Sequence, residues 1–386
     1  MDKVCLATMN LISAEICGKN LDADLIKSLN DEELKALYAL SKKHDVGHIV
    51  GDALIKSGLI NNEEVKAAFE KQILTAVYRY EGINAEIEEI KVILEECSVP
   101  FILLKGAVIR FLYPEPWQRT SSDVDVLVKR DDVKKCRKAF EEKGYKYYCE
   151  TGHDISYFSP TGIHLELHYT LIETRESSGA NADKLLKKVW DYAVPEEDKC
   201  EYTQRDEFFY FYYLAHMAKH FNNGGCGLRS FIDLWLLNNK VIFDREKRSE
   251  ILKIGKLDKF DDNVRLLSRV WFESKKHTET TETMERYLLS GGVYGSEKNR
   301  IDFGKTKRGS FRYIISRIWE PYDVLCAKFP SLQGKKILLP FYEVRRWFHL
   351  LKPGKLKKGV GEVKEATSVS KEESDEISVM MKGLGF

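Results

Sequence analysis

The sequence predicts an α+β chain in which a small mixed sheet lies between an N-terminal and a C-terminal set of helices. Three observations predict it. Apolar residues recur every three or four positions up to residue 97 and again beyond residue 200, which is helical spacing. Between those limits the pattern changes to short apolar runs separated by turn residues, which is how strands read. With 386 residues, 43% of them hydrophobic, the chain is long enough for two or three cores. The expected divisions are a helical region at 1–97, the α/β core at 98–200, a helical domain at 201–352 and a solvated or flexible tail at 353–386.

Each element has its own warrant. Leu25, Ile26, Leu29, Leu34, Leu37 and Leu40 step at helical intervals, with Asp31 placed to cap a start, and a longer amphipathic helix spans 63–97. Residues 99–104 form a continuous apolar run typical of a buried strand, closed by Lys105-Gly106 and followed by a helical stretch to Tyr113. Pro114 and Pro116 turn the chain into a second strand at 123–128. Asp131 or Asp132 can cap a helix at 133–143 that Gly144 stops. Three more strands follow at 145–149, 155–158 and 163–170, the last two joined by the turn Pro160-Thr161-Gly162. Further on, Phe208, Phe209, Phe211, Tyr212, Leu214 and Ala215 leave almost no polar face, so their helix is a buried one. Residues 228–237 repeat at helical spacing and 311–351 are apolar enough to pack, whereas 355–376 have the composition of solvated chain.

Charge removes some function classes. The 61 basic and 60 acidic residues nearly cancel to +1, so no global field favours nucleic acid or an acidic membrane. Eight cysteines without a CxxC pair fit reduced thiols rather than a disulfide framework or a zinc site. No apolar run approaches the roughly 20 residues that cross a bilayer, and the N-terminal one is too short for a signal peptide, so a cytoplasmic location is expected.

Chemistry concentrates in the second strand. Alternate residues of a strand share a face, so Asp123 and Asp125 project together while Val124 and Val126 point the other way. Two carboxylates that close repel unless a divalent cation lies between them, and hard oxygen donors favour Mg²⁺ or Mn²⁺. The last strand alternates strictly: Ile163, Leu165, Leu167 and Tyr169 take one face, and His164, Glu166 and His168 the other. Two carboxylates on one strand and a third on its neighbour can hold two ions about 3.5–4 Å apart, the arrangement that clamps an in-line phosphoryl transfer. On this reading Asp123 and Asp125 hold the nucleotide-bound metal, and Glu166 completes the catalytic metal's shell and draws the proton from an acceptor hydroxyl.

In order along the chain, Leu104-Lys105-Gly106, Arg119, Asp123-Val124-Asp125-Val126-Leu127-Val128 and Glu166-Leu167-His168 resemble the polymerase-β-like nucleotidyltransferase superfamily, and within it a branch of uncharacterised bacterial nucleotidyltransferase-family proteins. His216, His220, Leu228-Arg229 and Asp233 resemble that branch's downstream pattern. The resemblance implies a nucleotidyltransferase core that uses Mg²⁺ or Mn²⁺. A nucleoside triphosphate such as ATP is the implied donor, pyrophosphate the product, and a hydroxyl on a small molecule, sugar or protein the acceptor. It sets Lys105, Gly106 and Arg119 at the phosphates, His168 beside Glu166 or the substrate, and His216, Lys219 and His220 toward the cleft from the helical domain, with Arg229 and Asp233 as further substrate-facing candidates. One departure is visible: members usually carry Gly-Ser or Gly-Gly where this chain has Gly106-Ala107, so a hydroxyl is missing at a helix start whose amides can hold phosphate.

Plainer readings stand beside these. His216 and His220 have a zinc-compatible i, i+4 spacing but no HExxH glutamate and no third ligand nearby in sequence, which favours buried hydrogen-bonding histidines. Arg229 and Asp233 can form a simple intrahelical ion pair, His164 reads as a wet-face residue, and His153 is unassigned. Other function classes are an inactive nucleotide-binding or interaction protein on the same fold, for which Ala107 argues, and an Asp-x-Asp glycosyltransferase, against which the short segment preceding the motif argues. Finally, the basic stretch 345–352 with Lys355, Lys357 and Lys358 suits either an anionic membrane or nucleic-acid surface or a packed C-terminal helix.

Overall fold

Seven strands form one mixed sheet in the computed structural model, which describes residues 2–173, 179–292, 322, 325–326, 329–332, 334–350 and 371–386. They are β1 (Phe101–Leu103), β2 (Asp123–Val128), β3 (Lys146–Glu150), β4 (Asp154–Phe158), β5 (His164–His168), β6 (Ala193–Pro195) and β7 (Glu201–Gln204), in the order β3-β4-β5-β2-β1-β7-β6. β2 lies in the middle, antiparallel to β1 and parallel to β5, while β7 runs parallel to β1. Because β7 lies beyond residue 200, the sheet runs past the expected limit of the α/β core.

Helices precede, interrupt and follow the sheet. Before it come α1 (Lys3–Cys17), α2 (Ala23–Lys27), α3 (Asp31–Lys43), α4 (Gly47–Lys56) and α5 (Glu63–Glu96). Within it lie α6 (Gly106–Ile109), α7 (Val133–Glu142) and α8 (Ala180–Leu186). After it come α9 (Asp206–Asn222), α10 (Leu228–Lys240), α11 (Arg245–Gly255), α12 (Asp258–Glu273), α13 (Glu279–Leu289), α14 (Leu339–Leu350) and α15 (Lys371–Gly383). Asn30, not Asp31, caps α3, in a capping box with Glu33. At α7, Asp132 occupies the cap position but makes no side-chain cap bond. Gly144 has φ +88°, the left-handed conformation that ends the helix.

The two faces of the sheet are covered differently. Val124, Val126 and Val128 of β2 and Leu165 and Leu167 of β5 pack with Ile83, Ile87, Ile90 and Leu94 of α5 and Phe140 of α7. On the opposite face Ile102, Leu104 and Leu127 join a larger core built from α1, α3, α4 and α9 to α13. The N-terminal helices therefore do not form a layer of their own: the later part of α5 covers one face, while its start, with Val65 and Phe69, joins α1, α3, α4 and the later helices in the larger core. The tail departs from expectation too. Ile377, Met380, Met381 and Leu384 are buried in that same core, and Phe386 stacks near Phe221, so 371–386 packs as an amphipathic helix and its end. Part of the apolar segment expected at 311–351, and all of 351–370, lie outside the described residues.

In α14 the basic stretch turns partly inward. Arg346 is buried against Glu343 at 2.8 Å, and the Arg345 guanidinium lies over the rings of Phe329 and Tyr342. Those two cations serve the protein's own packing rather than a surface field. Among the described residues, no helix is long and apolar enough to cross a membrane.

Candidate active site

Strand alternation decides where the carboxylates go. Leu127 is buried against the helical body, and Asp123 and Asp125 share its face, so both aspartates look toward α9 and α10. In the parallel pairing of β2 with β5, Asp123 lies opposite His164, Asp125 opposite Glu166, and Leu127 opposite His168. The sheet thus brings three carboxylates and two imidazoles onto one patch. Ligand atoms of Asp123, His164 and Glu166 lie within 4.8 Å of one another, and those of Asp125, Glu166 and His168 do the same. Oxygen-rich sets with one imidazole suit a divalent cation of the Mg²⁺ or Mn²⁺ type.

The two aspartates have opposite surroundings. Asp125 Oδ1 accepts from His168 Nε2 at 2.8 Å and from Lys105 Nζ at 3.3 Å. Burial alone pushes its carboxyl up, but Lys105 and His168 hold it well below the usual carboxylate range. Burial likewise works against the charged forms of His168 and Lys105; the bonds to Asp125 and Glu166 nevertheless raise His168 to about 9, and Asp125 above all raises Lys105. No cation bonds Asp123, and burial, then the charges of Asp125 and Glu166, raise its pKa against a smaller pull from Lys105. Lys105 reaches Asp125 from an unusual backbone conformation, φ 43° and ψ −110°, rare for a residue with a side chain. Such a residue costs on the order of 1–3 kcal/mol, which its buried ion pair helps to offset.

Across from the carboxylates, α9 and the start of α10 form the other wall of a cleft of about 360 Å³. His216, Lys219, His220, Arg229 and Tyr213 line it together with Asp123, Asp125, Glu166, His153 and Glu173. His216 and His220 share a hydrogen bond of 3.0 Å between their Nε2 atoms. Burial, then the neighbouring cations, keeps both neutral, His220 down to about 4 and His216 well below its ordinary value. Lys219 pairs with Glu173.

Several expected roles change. Arg119 lines the cleft, yet its Nε bonds both oxygens of Asp233 and one terminal nitrogen donates to the Thr120 carbonyl, so much of its guanidinium is committed within the protein. Asp233 does not pair with Arg229 and does not face the cleft; it is fully buried, accepting from Arg119, Tyr113 and Tyr213. Arg229 instead bonds Asp45 and the Thr120 carbonyl. Gly106 opens only a four-residue helix, and the amides of Ala107 and Val108 already donate to Leu104 and Lys105 carbonyls. Ala107 belongs to the buried core on the α5 side of the sheet and also borders the cleft.

Three neighbours had no site role in the sequence reading: His164 read as a wet-face residue, His153 unassigned, and Glu173, which that reading did not mention. His164 shares the face of Glu166, and the strand's alternation is the signal that marks it. His153 stacks on His168 with ring centroids 5.9 Å apart, and Glu173 enters from the segment after β5. No local pattern marks either one, since each arrives from a loop.

A family model described as an uncharacterised nucleotidyltransferase matches residues 30–273, a span that takes in the whole sheet and the cleft. Searches of the curated proteins and of the solved structures find no match.

Proposed function

The chain belongs to this uncharacterised nucleotidyltransferase family, and from that membership we propose that it moves a nucleoside monophosphate from a nucleoside triphosphate to an acceptor hydroxyl. The proposed frame is a polymerase-β-like core of the bacterial branch. The single observation that carries the reading is the convergence of Asp123, Asp125 and Glu166 on one sheet face, opposite a cationic and imidazole-bearing helix wall. That is the distribution a triphosphate and its counter-ion require.

In the proposed reaction the acceptor oxygen bonds to the α-phosphorus, the bond to the bridging oxygen breaks, and pyrophosphate leaves with that electron pair. Mg²⁺ or Mn²⁺ held by Asp123, Asp125 and Glu166 supplies charge neutralisation of the phosphates when bound. Glu166, the most exposed of the acidic pair it forms with Asp125 at 28% against 11%, takes the acceptor's proton. His168 fixes Asp125 and lies 3.5 Å from Glu166, so it orients both carboxylates. Lys105 sits where it can exchange Asp125 for a phosphate oxygen. On the opposite wall Lys219, Arg229, His216 and His220 position the acceptor, the two histidines as neutral hydrogen-bonding groups. Holding the two reactants in line supplies much of the rate.

The test is transfer of label. The full chain is incubated with each α-labelled nucleoside triphosphate, Mg²⁺ or Mn²⁺ and cell extract; the expectation is a labelled acceptor with release of pyrophosphate, abolished in Asp123→Asn. Transfer that survives in Asp123→Asn, or no transfer from any triphosphate, overturns the reading.

A further inference from the structure

From an unpaired guanidinium buried behind the cleft, we infer that Arg110 and Ser121 act together on the triphosphate: Arg110 is a positioning residue that holds the Ser121 hydroxyl ready to donate to a phosphate oxygen. The inference rests on the nucleotidyl-transfer reading and adds two residues to its nucleotide site.

Arg110 directly follows α6 and is 1% exposed. Its Nε donates to the Gly106 carbonyl at 2.9 Å, one terminal nitrogen donates to Ser121 Oγ at 3.2 Å, and the guanidinium lies 5.7 Å from the centre of the Tyr80 ring. Among the described residues it makes no ion pair. Burial, then the neighbouring cation Arg119, brings its pKa down to about 10, which leaves it charged at neutral pH. Arg119 is placed differently, because both oxygens of Asp233 answer its charge. A buried charge is costly unless it is paired, and costs of this kind are kept where a site needs them.

The cleft is where an anion can meet that charge. Gly106, Arg119 and Ser121 all line it. A β-carbon built on Gly106 would lie 3.6 Å from Ser121 Cβ and 3.5 Å from Arg119 Nη1, so Ser121 stands directly against the Gly106 turn and beside a second guanidinium. A guanidinium can only donate, so Ser121 Oγ is the acceptor in its bond to Arg110 and its own O–H is left over. Among the described residues that O–H donates to nothing. A hydroxyl that accepts from a cation is polarised to donate more strongly in turn. The backbone does not compete for the role, since the Ala107 and Val108 amides are already bonded to carbonyls. An anionic oxygen that only accepts, as on a phosphate, suits a hydroxyl donor with fixed positive charge behind it.

Steady-state kinetics of label transfer by the full chain, with inorganic pyrophosphate as the competing product, is the experiment. Ser121→Ala is expected to raise the KM for the triphosphate and the inhibition constant of pyrophosphate together by about tenfold, with kcat within about threefold and the thermal midpoint unchanged. Ser121→Thr keeps the hydroxyl and should stay within about threefold of wild type in both constants. Arg110→Met, similar in length and uncharged, should raise both at least ~10-fold. A wild-type KM in Ser121→Ala overturns the inference. So does a rise that Ser121→Thr shares and that comes with a lower thermal midpoint, the mark of a merely structural serine, and so does a folded Arg110→Met with wild-type constants. The two Ser121 variants decide the matter even if Arg110→Met does not fold. Failure of the parent reading looks different and takes this inference with it: the wild-type chain then transfers no label from any triphosphate.

Discussion

One face of the central sheet is dry and the other is charged, although the same strands build both. On β5, Leu165 and Leu167 enter the core beneath α5 and α7, while Glu166 between them faces the cleft opposite α9, with His164 and His168 on the same face of the strand. On β2, three valines alternate with Asp123, Asp125 and Leu127. The difference teaches how a short sheet can carry costly charge. Apolar burial on one face anchors each strand in register, and that fixed register is what brings Asp125 level with Glu166 on the other. The charged face then needs only local compensation, from Lys105 and His168.

Neighbouring residues on opposite faces give the sharpest way to break this contrast. Glu166→Gln removes a charge from the cleft face and should lower nucleotidyl transfer by about 10³-fold, some 4 kcal/mol of barrier, by analogy with loss of a transition-state contact. Its stability should hold or rise slightly, because like charge is removed beside Asp123 and Asp125. Chemical denaturation and initial rates on the same preparation check both; a large loss of stability with transfer intact contradicts the division of labour. The converse change is one residue away. Leu165→Ala, on the dry face and fully buried, should cost about 3 kcal/mol of stability by leaving a cavity, with kcat near wild type where the protein remains folded. A stable Leu165→Ala with collapsed kcat means that the faces are not separable.

How much of this is legible in the sequence follows from the range of the interactions. Period-two alternation places Asp123 with Asp125 and Glu166 with His168, because the side-chain direction of a strand is a local property. It also places His164, whose polar neighbours made a wet face the simpler reading. Long-range partners leave no such trace. Asp233 sits four residues from Arg229, the spacing of an ion pair, yet it bonds Tyr113 and Arg119, which are 120 and 114 residues away in the chain. Arg229 turns to Asp45 instead, 184 residues away. The C-terminal helix was hidden differently. Ile377, Met380, Met381 and Leu384 have helical spacing, but the polar run before them dominates the composition, and only the hydrophobic gap left by the other helices gives the stripe a place to go.

A smaller effect separates the two sides of the sheet by pH. The α5 and α7 layer contains no histidine, whereas the helical body on the other side buries His44, held neutral by burial and by Lys43, with its pKa lowered from 6.5 to about 4. In the unfolded chain this imidazole takes up a proton near 6.5, so the folded state loses stability as pH falls from there toward 4 and is unaffected above it. Between pH 7 and pH 5 the loss amounts to about 2 kcal/mol for this one group. Urea unfolding at both pH values should show wild type losing about that much more than His44→Gln. Equal losses in the two proteins exclude His44 as a source of the acid sensitivity.

Ala107 provides the finest probe, since the resemblance read from the sequence implies a glycine or a serine at this position. The missing hydroxyl suggests weak triphosphate binding only if the side chain at this position can reach the cleft. Here Ala107 belongs to the same buried cluster as Val124 and Leu103 while also bordering the cleft, and its amide already donates to the Leu104 carbonyl at 3.2 Å. A serine whose hydroxyl stays in that cluster gains no phosphate and loses an apolar contact. Ala107→Ser should leave the KM for the nucleotide within about twofold while costing roughly 1 kcal/mol of stability, the scale of burying a hydroxyl that finds only a local partner. Steady-state kinetics and a denaturation curve read the two numbers independently. A tenfold fall in KM means that the serine hydroxyl reaches the cleft from this position, and the boundary between the faces then runs through α6 rather than beneath it.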